Sequence, residues 1–356
     1  MRDKILFGDC RNTLKQFDEK ARMCVTSPPY YGLRDYGTAT WIGGDPNCNH
    51  MRDSKVNPDQ CITGHKNHDQ MAGVGDAIYK TSCPKCGAVR QDSQIGLEET
   101  PEKYVEEMVK VFRLVRDNLT DDGTLWLNIG DSYYNYRSDG NYPQQTVSKT
   151  RQDLPIRTPV RGNKLKGYKS KDLIGIPWML AFALRADGWY LRQDIIWHKP
   201  NPMPESVKDR CTKSHEYIFL LSKNKNYYYN NEAIKEPAVD WGTRDRTNGK
   251  YHNQGTGLQP HSGLTKSYPK KNKRSVWSVT TKPFKGAHFA VFPPELIEPC
   301  IKAGSEVGDI ILDPFMGSGT TARVAKLLDR YYIGCELHKE YNNLIQERVP
   351  INVSYL

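Results

Sequence analysis

The segment GDIILDPFMGSGTTARVAKLLDRYYIGCE, residues 308–336, decides the fold of this chain. It contains an apolar run, a glycine-rich turn, a helical pattern and a second apolar run that ends in an acid. We assign these to a strand at Gly308–Leu312, a turn at Asp313–Thr320, a helix at Thr321–Leu328, and a strand at Tyr331–Cys335 followed by Glu336. This order predicts a unit of a parallel α/β sheet.

The glycine turn is a candidate ligand site. Glycines let the backbone approach a ligand at the carboxyl end of a strand, and an acid 23 residues after Asp313 lies where it can accept hydrogen bonds from a ribose. The full G-x-G-x-x-G fingerprint and the G-K-[ST] of a phosphate loop are absent. S-adenosylmethionine, which has a ribose and no pyrophosphate, fits this pattern; a tight turn that binds nothing is the alternative. The candidate cofactor contacts here are Asp313, Phe315, Gly317, Ser318, Gly319, Thr320 and Glu336.

The rest of the sheet must come from the other end of the chain, because about twenty residues follow Glu336. The apolar runs Lys4–Phe7 and Ala21–Thr26 are predicted to join it, with a helix near Arg11–Phe17 between them. This arrangement predicts an α/β, Rossmann-like sheet that is circularly permuted relative to one beginning with its cofactor strand. Further elements are predicted at 100–118 (helix), Thr124–Ile129 (strand after a turn at 121–123), Ile176–Ala186 (helix), Tyr190–Trp197 (strand) and 216–222 (strand).

A stiff turn follows the strand that ends at Thr26, in the sequence Ser27-Pro28-Pro29-Tyr30. Methyl transfer to an aromatic amino group is difficult because the nitrogen lone pair is delocalised into the ring. A serine oxygen and a proline-locked carbonyl can accept hydrogen bonds from the amino protons, and a tyrosine offers a stacking face for a base outside the duplex. Taken alone, this motif is more often only a turn.

The two motifs together resemble those of the amino-methylating DNA methyltransferases, in the order of their permuted β group. The resemblance implies that a target base flips out of the duplex and that Ser27 and the Pro28 carbonyl hold its amino group, with Pro29 and Tyr30 completing the catalytic motif. It implies double-stranded DNA as partner and restriction–modification as the setting. Further cofactor residues that it implies are Asp9, Thr26, His288, Phe289 and Pro293.

The base is predicted from the first motif position. Serine there is commoner in members of this family that modify cytosine N4, and aspartate is typical of those that modify adenine N6. Ser27 therefore favours site-specific methylation of cytosine N4, with adenine N6 as the alternative.

Residues 37–96 form a polar insertion that contains the zinc-knuckle sequence Cys83-Pro84-Lys85-Cys86-Gly87. We choose Cys48 and His50 as the second pair of ligands to a structural zinc; Cys61, His65 and His68 compete for that role. Surface thiols without metal are the alternative.

The formal net charge of +10 favours an anionic partner. Two basic loops contribute most to it: residues 137–171 hold nine lysines and arginines against two aspartates, and residues 240–275 hold eight against two. In the family that the chain resembles, the target-recognition region lies at the position of the second loop, residues 240–275. The predicted organisation is a catalytic part (1–36, 97–136 and 172–239), a zinc-binding insertion (37–96), a basic loop (137–171), a target-recognition region (240–285) and a cofactor-binding part (286–356).

Other classes stay open on sequence alone: an RNA methyltransferase, or a non-catalytic nucleic-acid-binding zinc protein. Nine cysteines, an odd number, and a start without a signal peptide predict reduced thiols in the cytoplasm of a prokaryotic or phage-infected cell, and no apolar run predicts a membrane partner. The resemblance leaves a homodimer and a cognate restriction endonuclease open.

Overall fold

The computed structural model describes residues 2–32, 39–51, 79, 82–91, 94–134, 165–238, 269–282 and 292–349. Its strands are β1 (Lys4–Phe7), β2 (Ala21–Thr26), β3 (Thr40–Ile42), β4 (Val89–Gln91), β5 (Leu119–Ile129), β6 (Tyr190–His198), β7 (His215–Ser222), β8 (Glu236–Pro237), β9 (Lys270–Lys271), β10 (Val276–Ser278), β11 (Ile310–Asp313) and β12 (Tyr331–Glu336). Its helices are α1 (Cys10–Thr13), α2 (Pro101–Asn118), α3 (Ile176–Ala186), α4 (Pro294–Gly304), α5 (Thr320–Leu327) and α6 (Tyr341–Arg348), with 3₁₀ turns at Leu14–Gln16 and Glu232–Ile234.

Eight strands form one mixed sheet in the order β1-β12-β11-β2-β5-β7-β6-β10. Strand β7 runs antiparallel to its neighbours β5 and β6, and the other pairings are parallel. The prediction that strands from both ends of the chain share a sheet is confirmed, because β1 pairs with β12 and β2 pairs with β11. The α/β class is confirmed as well; the permutation itself stays a prediction.

Helices cover both faces of the sheet, because the central strands are apolar on both sides. On one face, α2 and α3 bury residues such as Phe112 and Leu180 against β5 and β7. On the other, α4 and α5 pack over Met23 and Trp126. Helix α2 begins as its sequence predicts, with the Thr100 side chain accepting a hydrogen bond from the Lys103 amide at 3.2 Å.

Two predicted elements have boundaries that differ from the structure by three residues or more. The first helix ends at Thr13 and continues only as a 3₁₀ turn to Gln16, with Phe17 already extended. Strand β5 begins at Leu119, before the predicted turn at 121–123. Its register against β2 shifts between the pairs Ala21–Leu119 and Met23–Thr124, so the turn residues form an irregularity within the strand. No helix among the described residues is long and apolar enough to cross a membrane.

Candidate active site

The carboxyl ends of four neighbouring parallel strands lie side by side at one edge of the sheet, and the candidate site is at this edge. Asp9 follows β1, Glu336 ends β12, Asp313 ends β11 and Thr26 ends β2. The carboxyl ends of parallel strands are where α/β proteins bind ligands. The topology therefore brings together cofactor candidates that lie more than 300 residues apart in the sequence.

Asp313 joins the catalytic half of the site to the cofactor half. Its carboxylate accepts hydrogen bonds from the hydroxyls of Thr26 and Thr321, both at 2.6 Å, and from the Phe315 amide at 3.0 Å. The side chain is 1% exposed, and burial raises its pKa to about 6. Thr26 and Asp313 are therefore not exposed to solvent, and their hydrogen bond fixes the turn that begins at Ser27 relative to the glycine turn that follows Asp313.

The glycine turn follows Asp313 directly in the sequence. Gly317 and Gly319 have φ angles of +55° and +81°, which favour glycine. A Cβ at Gly319 would lie 3.0 Å from the side chain of Ile345, so the turn packs closely on α6.

Glu336 holds the same turn from the next strand. Its carboxylate accepts hydrogen bonds from the amides of Gly317 at 2.7 Å and His338 at 2.8 Å. Burial raises its pKa. A carboxylate has about four acceptor sites, so two protein donors leave capacity for the hydroxyls of a ribose.

Arg348, in the last turn of α6, is a site residue that sequence reasoning missed. Its guanidinium donates to the Ser318 carbonyl at 2.7 Å, to the Ser318 hydroxyl, and to the Thr320 hydroxyl at 3.2 Å. Burial lowers its pKa. No motif marks this arginine, because its role depends on how α6 folds back over the turn.

Asp9 lies beside Glu336, since the Gly8 amide donates to the Glu336 carbonyl at 2.8 Å. The Asp9 carboxylate caps α1 through the Arg11 amide at 2.9 Å and pairs with the Arg11 guanidinium at 2.6 Å. Arg11 also pairs with Glu107 on α2, at 2.8 Å. Asp9 is therefore at the predicted edge, with protein partners of its own.

The Ser-Pro-Pro-Tyr turn extends from the end of β2 across the end of β5. The Ser27 hydroxyl donates to the Tyr30 hydroxyl at 3.4 Å, and the Tyr30 hydroxyl donates to Glu216 Oε2 at 2.7 Å. The Pro29 carbonyl accepts a hydrogen bond from Tyr104 at 2.8 Å, and Pro28 is buried. The Tyr30 ring lies against Gly130, where a Cβ would come within 2.7 Å of it.

Glu216, the second residue of β7, and two residues that contact it also escaped prediction as site residues. Lys199, just after β6, forms an ion pair with Glu216. Asn128 of β5 donates to Glu216 Oε2 at 3.3 Å and to the Tyr217 carbonyl at 3.1 Å. Burial, followed by the Glu216 charge, raises the pKa of Tyr30 well above its ordinary value. The feature of the sequence that could have pointed to these residues is their position at the ends of strands that meet the same edge of the sheet as Ser27.

The described residues of the insertion contain a two-stranded sheet of their own. Strands β3 and β4 form an antiparallel pair, and four side chains beside it, Cys48, His50, Cys83 and Cys86, have ligand atoms that all lie within 4.8 Å of one another. The Trp41 ring stacks on His50, with ring centroids 4.3 Å apart. The structure therefore brings together the four residues chosen as metal ligands. The competing Cys61, His65 and His68 lie outside the described residues.

Some predicted residues are not placed. His288 and Phe289 lie outside the described residues, as do 135–164 and 239–268 of the basic loops. Pro293 is buried and immediately precedes α4. Among the described basic residues, Lys273 and Arg274 pair with Glu236, and Lys171 pairs with Asp209.

Comparison with known proteins shows the family of the chain. Residues 21–347 match the DNA methylase family of N6- and N4-methyltransferases. The type II methyltransferase M.SmaI of Serratia marcescens is 42% identical over 348 residues, which are 97% of this chain and 90% of that protein. M.Cfr9I of Citrobacter freundii is 40% identical over 344 residues, which are 96% of this chain and 86% of that protein.

The solved structure of PvuII DNA methyltransferase (cytosine-N4-specific) has the same fold, with a TM-score of 0.54 over 99% of this chain and 88% of that one, at 15% identity. The chain belongs to the DNA methylase family.

Proposed function

We propose that this DNA methyltransferase transfers a methyl group from S-adenosylmethionine to the N4 amino group of a flipped cytosine in double-stranded DNA, as a type II modification enzyme. The observation that carries the proposal is the Thr26–Asp313 hydrogen bond, at 2.6 Å. It holds the turn that begins with Ser27 directly beside the turn that contains Gly317, which is the juxtaposition that transfer between a cofactor and a base requires.

Each half of the site has a task. Glu336 and the glycine turn hold the ribose and methionine parts of the cofactor, which supplies an electrophilic methyl group. Ser27 and the Pro28 carbonyl accept hydrogen bonds from the two amino protons of the base. The nitrogen lone pair is then available to accept the methyl group that bound S-adenosylmethionine would supply. S-adenosylhomocysteine would leave with the electron pair of the S–CH₃ bond, and one amino proton would pass to solvent water.

Cytosine N4 is supported by Ser27 and by its resemblance to cytosine-modifying members of the family. The test is to incubate the protein with tritiated S-adenosylmethionine and mixed-sequence duplex DNA, then digest the DNA and identify the labelled nucleoside. We expect label in N4-methyldeoxycytidine. Label in N6-methyldeoxyadenosine would overturn the choice of base and keep the chemistry; no label in the DNA would overturn the proposal.

Residues 240–285 are proposed to read the target, and phosphate contacts of their basic side chains contribute to affinity. Such contacts release counterions, so DNA affinity falls with salt with a log–log slope of about −0.9 for each phosphate contacted.

A structural zinc ion is proposed at the insertion. Tetrahedral coordination with Zn–S of about 2.3 Å and Zn–N of about 2.0 Å separates two sulfurs by about 3.8 Å and a sulfur and nitrogen by about 3.5 Å. Cys48 Sγ and Cys83 Sγ are 3.8 Å apart, and Cys86 Sγ and His50 Nδ1 are 3.5 Å apart. The spacing fits zinc, and a bound ion would stabilise an otherwise polar insertion.

Elemental analysis of the purified protein is expected to find about one zinc per chain. The double variant Cys83→Ser, Cys86→Ser should lose that zinc and expose the insertion to limited proteolysis. Cys211→Ser, at an exposed cysteine outside the cluster, is the control and should retain the metal. A metal-free wild-type protein that resists proteolysis equally well would contradict the proposal.

A further inference from the structure

A chain of hydrogen bonds leads from the predicted catalytic serine to a partly buried ion pair. Ser27 Oγ donates to Tyr30 Oη at 3.4 Å, and Tyr30 Oη donates to Glu216 Oε2 at 2.7 Å. The other carboxylate oxygen, Oε1, accepts from Lys199 Nζ. The Lys199 and Glu216 side chains are 19% and 15% exposed, so water screens their interaction only weakly.

The ion pair fixes the direction of this chain. A carboxylate only accepts hydrogen bonds and an ammonium group only donates them. Tyr30 Oη also lies 3.4 Å from Asn128 Oδ1, but the Glu216 carboxylate at 2.7 Å is the closer and stronger acceptor. The Tyr30 hydrogen is therefore directed to Glu216, and the Tyr30 oxygen accepts the hydrogen of Ser27. The Ser27 hydrogen is then committed to Tyr30, which leaves the lone pairs of the Ser27 oxygen to act as acceptors.

This direction matters because serine is ambiguous. A hydroxyl both donates and accepts, whereas an amino group about to be methylated needs an acceptor. We propose that Glu216 is a positioning residue that acts through Tyr30 to present the Ser27 oxygen as an acceptor to the amino group of the target base. The inference rests on the proposed function, since it assigns a role within the same site.

Glu216→Gln tests the direction with almost no change in shape. Lys199 still requires an acceptor, so the amide oxygen turns toward Lys199 and the NH₂ group faces Tyr30. The NH₂ group donates to the Tyr30 oxygen, whose hydrogen then turns to Ser27 or to Asn128 Oδ1, 3.4 Å away, and the direction of the chain is no longer fixed. We expect kcat to fall roughly 10- to 150-fold, the equivalent of one charge-assisted hydrogen bond. KM for S-adenosylmethionine and Kd for DNA should change less than about twofold.

Tyr30→Phe and the double variant separate this role from a merely structural one. If Glu216 acts through the Tyr30 hydroxyl, the double variant is no slower than Tyr30→Phe alone. Tyr30→Phe also tests the chain by itself if Glu216→Gln fails to fold. Glu298→Gln, at a surface ion pair with Lys302 on α4, is the matched control and should keep the wild-type kcat.

A wild-type kcat in Glu216→Gln would overturn the inference. So would a double variant whose loss of kcat is the product of the losses in Glu216→Gln and Tyr30→Phe. Failure of the wild-type protein to methylate DNA would instead overturn the proposed function. A wild-type enzyme that is active, beside an equally active Glu216→Gln variant, would leave the proposed function intact.

Discussion

Ser27→Ala is expected to lower kcat for DNA methylation by roughly 10² to 10³-fold, the usual cost of removing one polar group aimed at a reacting centre. The alanine leaves one amino proton of the base without an acceptor, so the nitrogen lone pair stays in the ring. Binding of S-adenosylmethionine should be unchanged, because Glu336 and the Gly317 turn are separate from the lost oxygen. The measurement is initial-rate transfer of tritiated methyl groups to DNA.

Folding of the Ser27→Ala variant should match that of the wild type. Ser27 is only half-buried, and the hydrogen bond that its hydroxyl donates to Tyr30 is long, at 3.4 Å. The thermal midpoint checks this, with Ser82→Ala, at an exposed serine in the insertion, as the control. Full methylation by Ser27→Ala would remove Ser27 from the chemistry and transfer the role of acceptor to backbone groups.

The parts of the site that depend on local sequence pattern could be predicted from the sequence alone. A glycine turn after an apolar run predicted the end of β11, and the spacing to Glu336 predicted the acid that accepts a hydrogen bond from the Gly317 amide. Thr26 and Asp313 were predicted to contribute to the site from opposite ends of the chain. Their direct hydrogen bond could only be seen once β2 and β11 were paired.

The missed residues share one property: their role depends on strand order. Glu216 reaches Tyr30 because β7 lies next to β5, antiparallel, so that the start of β7 meets the catalytic edge. Neither residue spacing nor hydrophobic period predicts that adjacency. The metal ligands show the same limit, since residue spacing does not predict that the ligand atoms of Cys48 and His50 lie within 4.8 Å of those of Cys83 and Cys86.

Asp313→Ala is expected to destabilise the protein by about 3–5 kcal/mol and to abolish cofactor binding. The hydroxyls of Thr26 and Thr321 and the Phe315 amide would lose their acceptor, and an unsatisfied buried polar group costs about 1–3 kcal/mol. The turn would also lose its attachment to β2. Urea denaturation and calorimetric titration with S-adenosylmethionine measure the two effects.

Asp313→Asn separates the hydrogen bonds from the charge. An amide oxygen can accept from Thr26 and Phe315 while its NH₂ group donates to the Thr321 hydroxyl, so the contacts survive. The wild-type carboxyl has its pKa raised from 3.8 to about 6 by burial. The native state therefore holds a proton that the unfolded chain releases, and wild-type stability falls as pH rises from about 4 to about 6.

The shift in the Asp313 pKa is equivalent to about 3 kcal/mol of unfolding free energy. The wild type loses this whole contribution only above pH 6. Asp313→Asn carries no such group, so its stability should be flatter through this window and at pH 8 should equal or exceed that of the wild type. Unfolding free energies of both proteins from pH 4 to pH 8 provide the comparison. A variant as unstable as Asp313→Ala at pH 8 would mean that the negative charge, and not the hydrogen bonds, holds the catalytic and cofactor turns together.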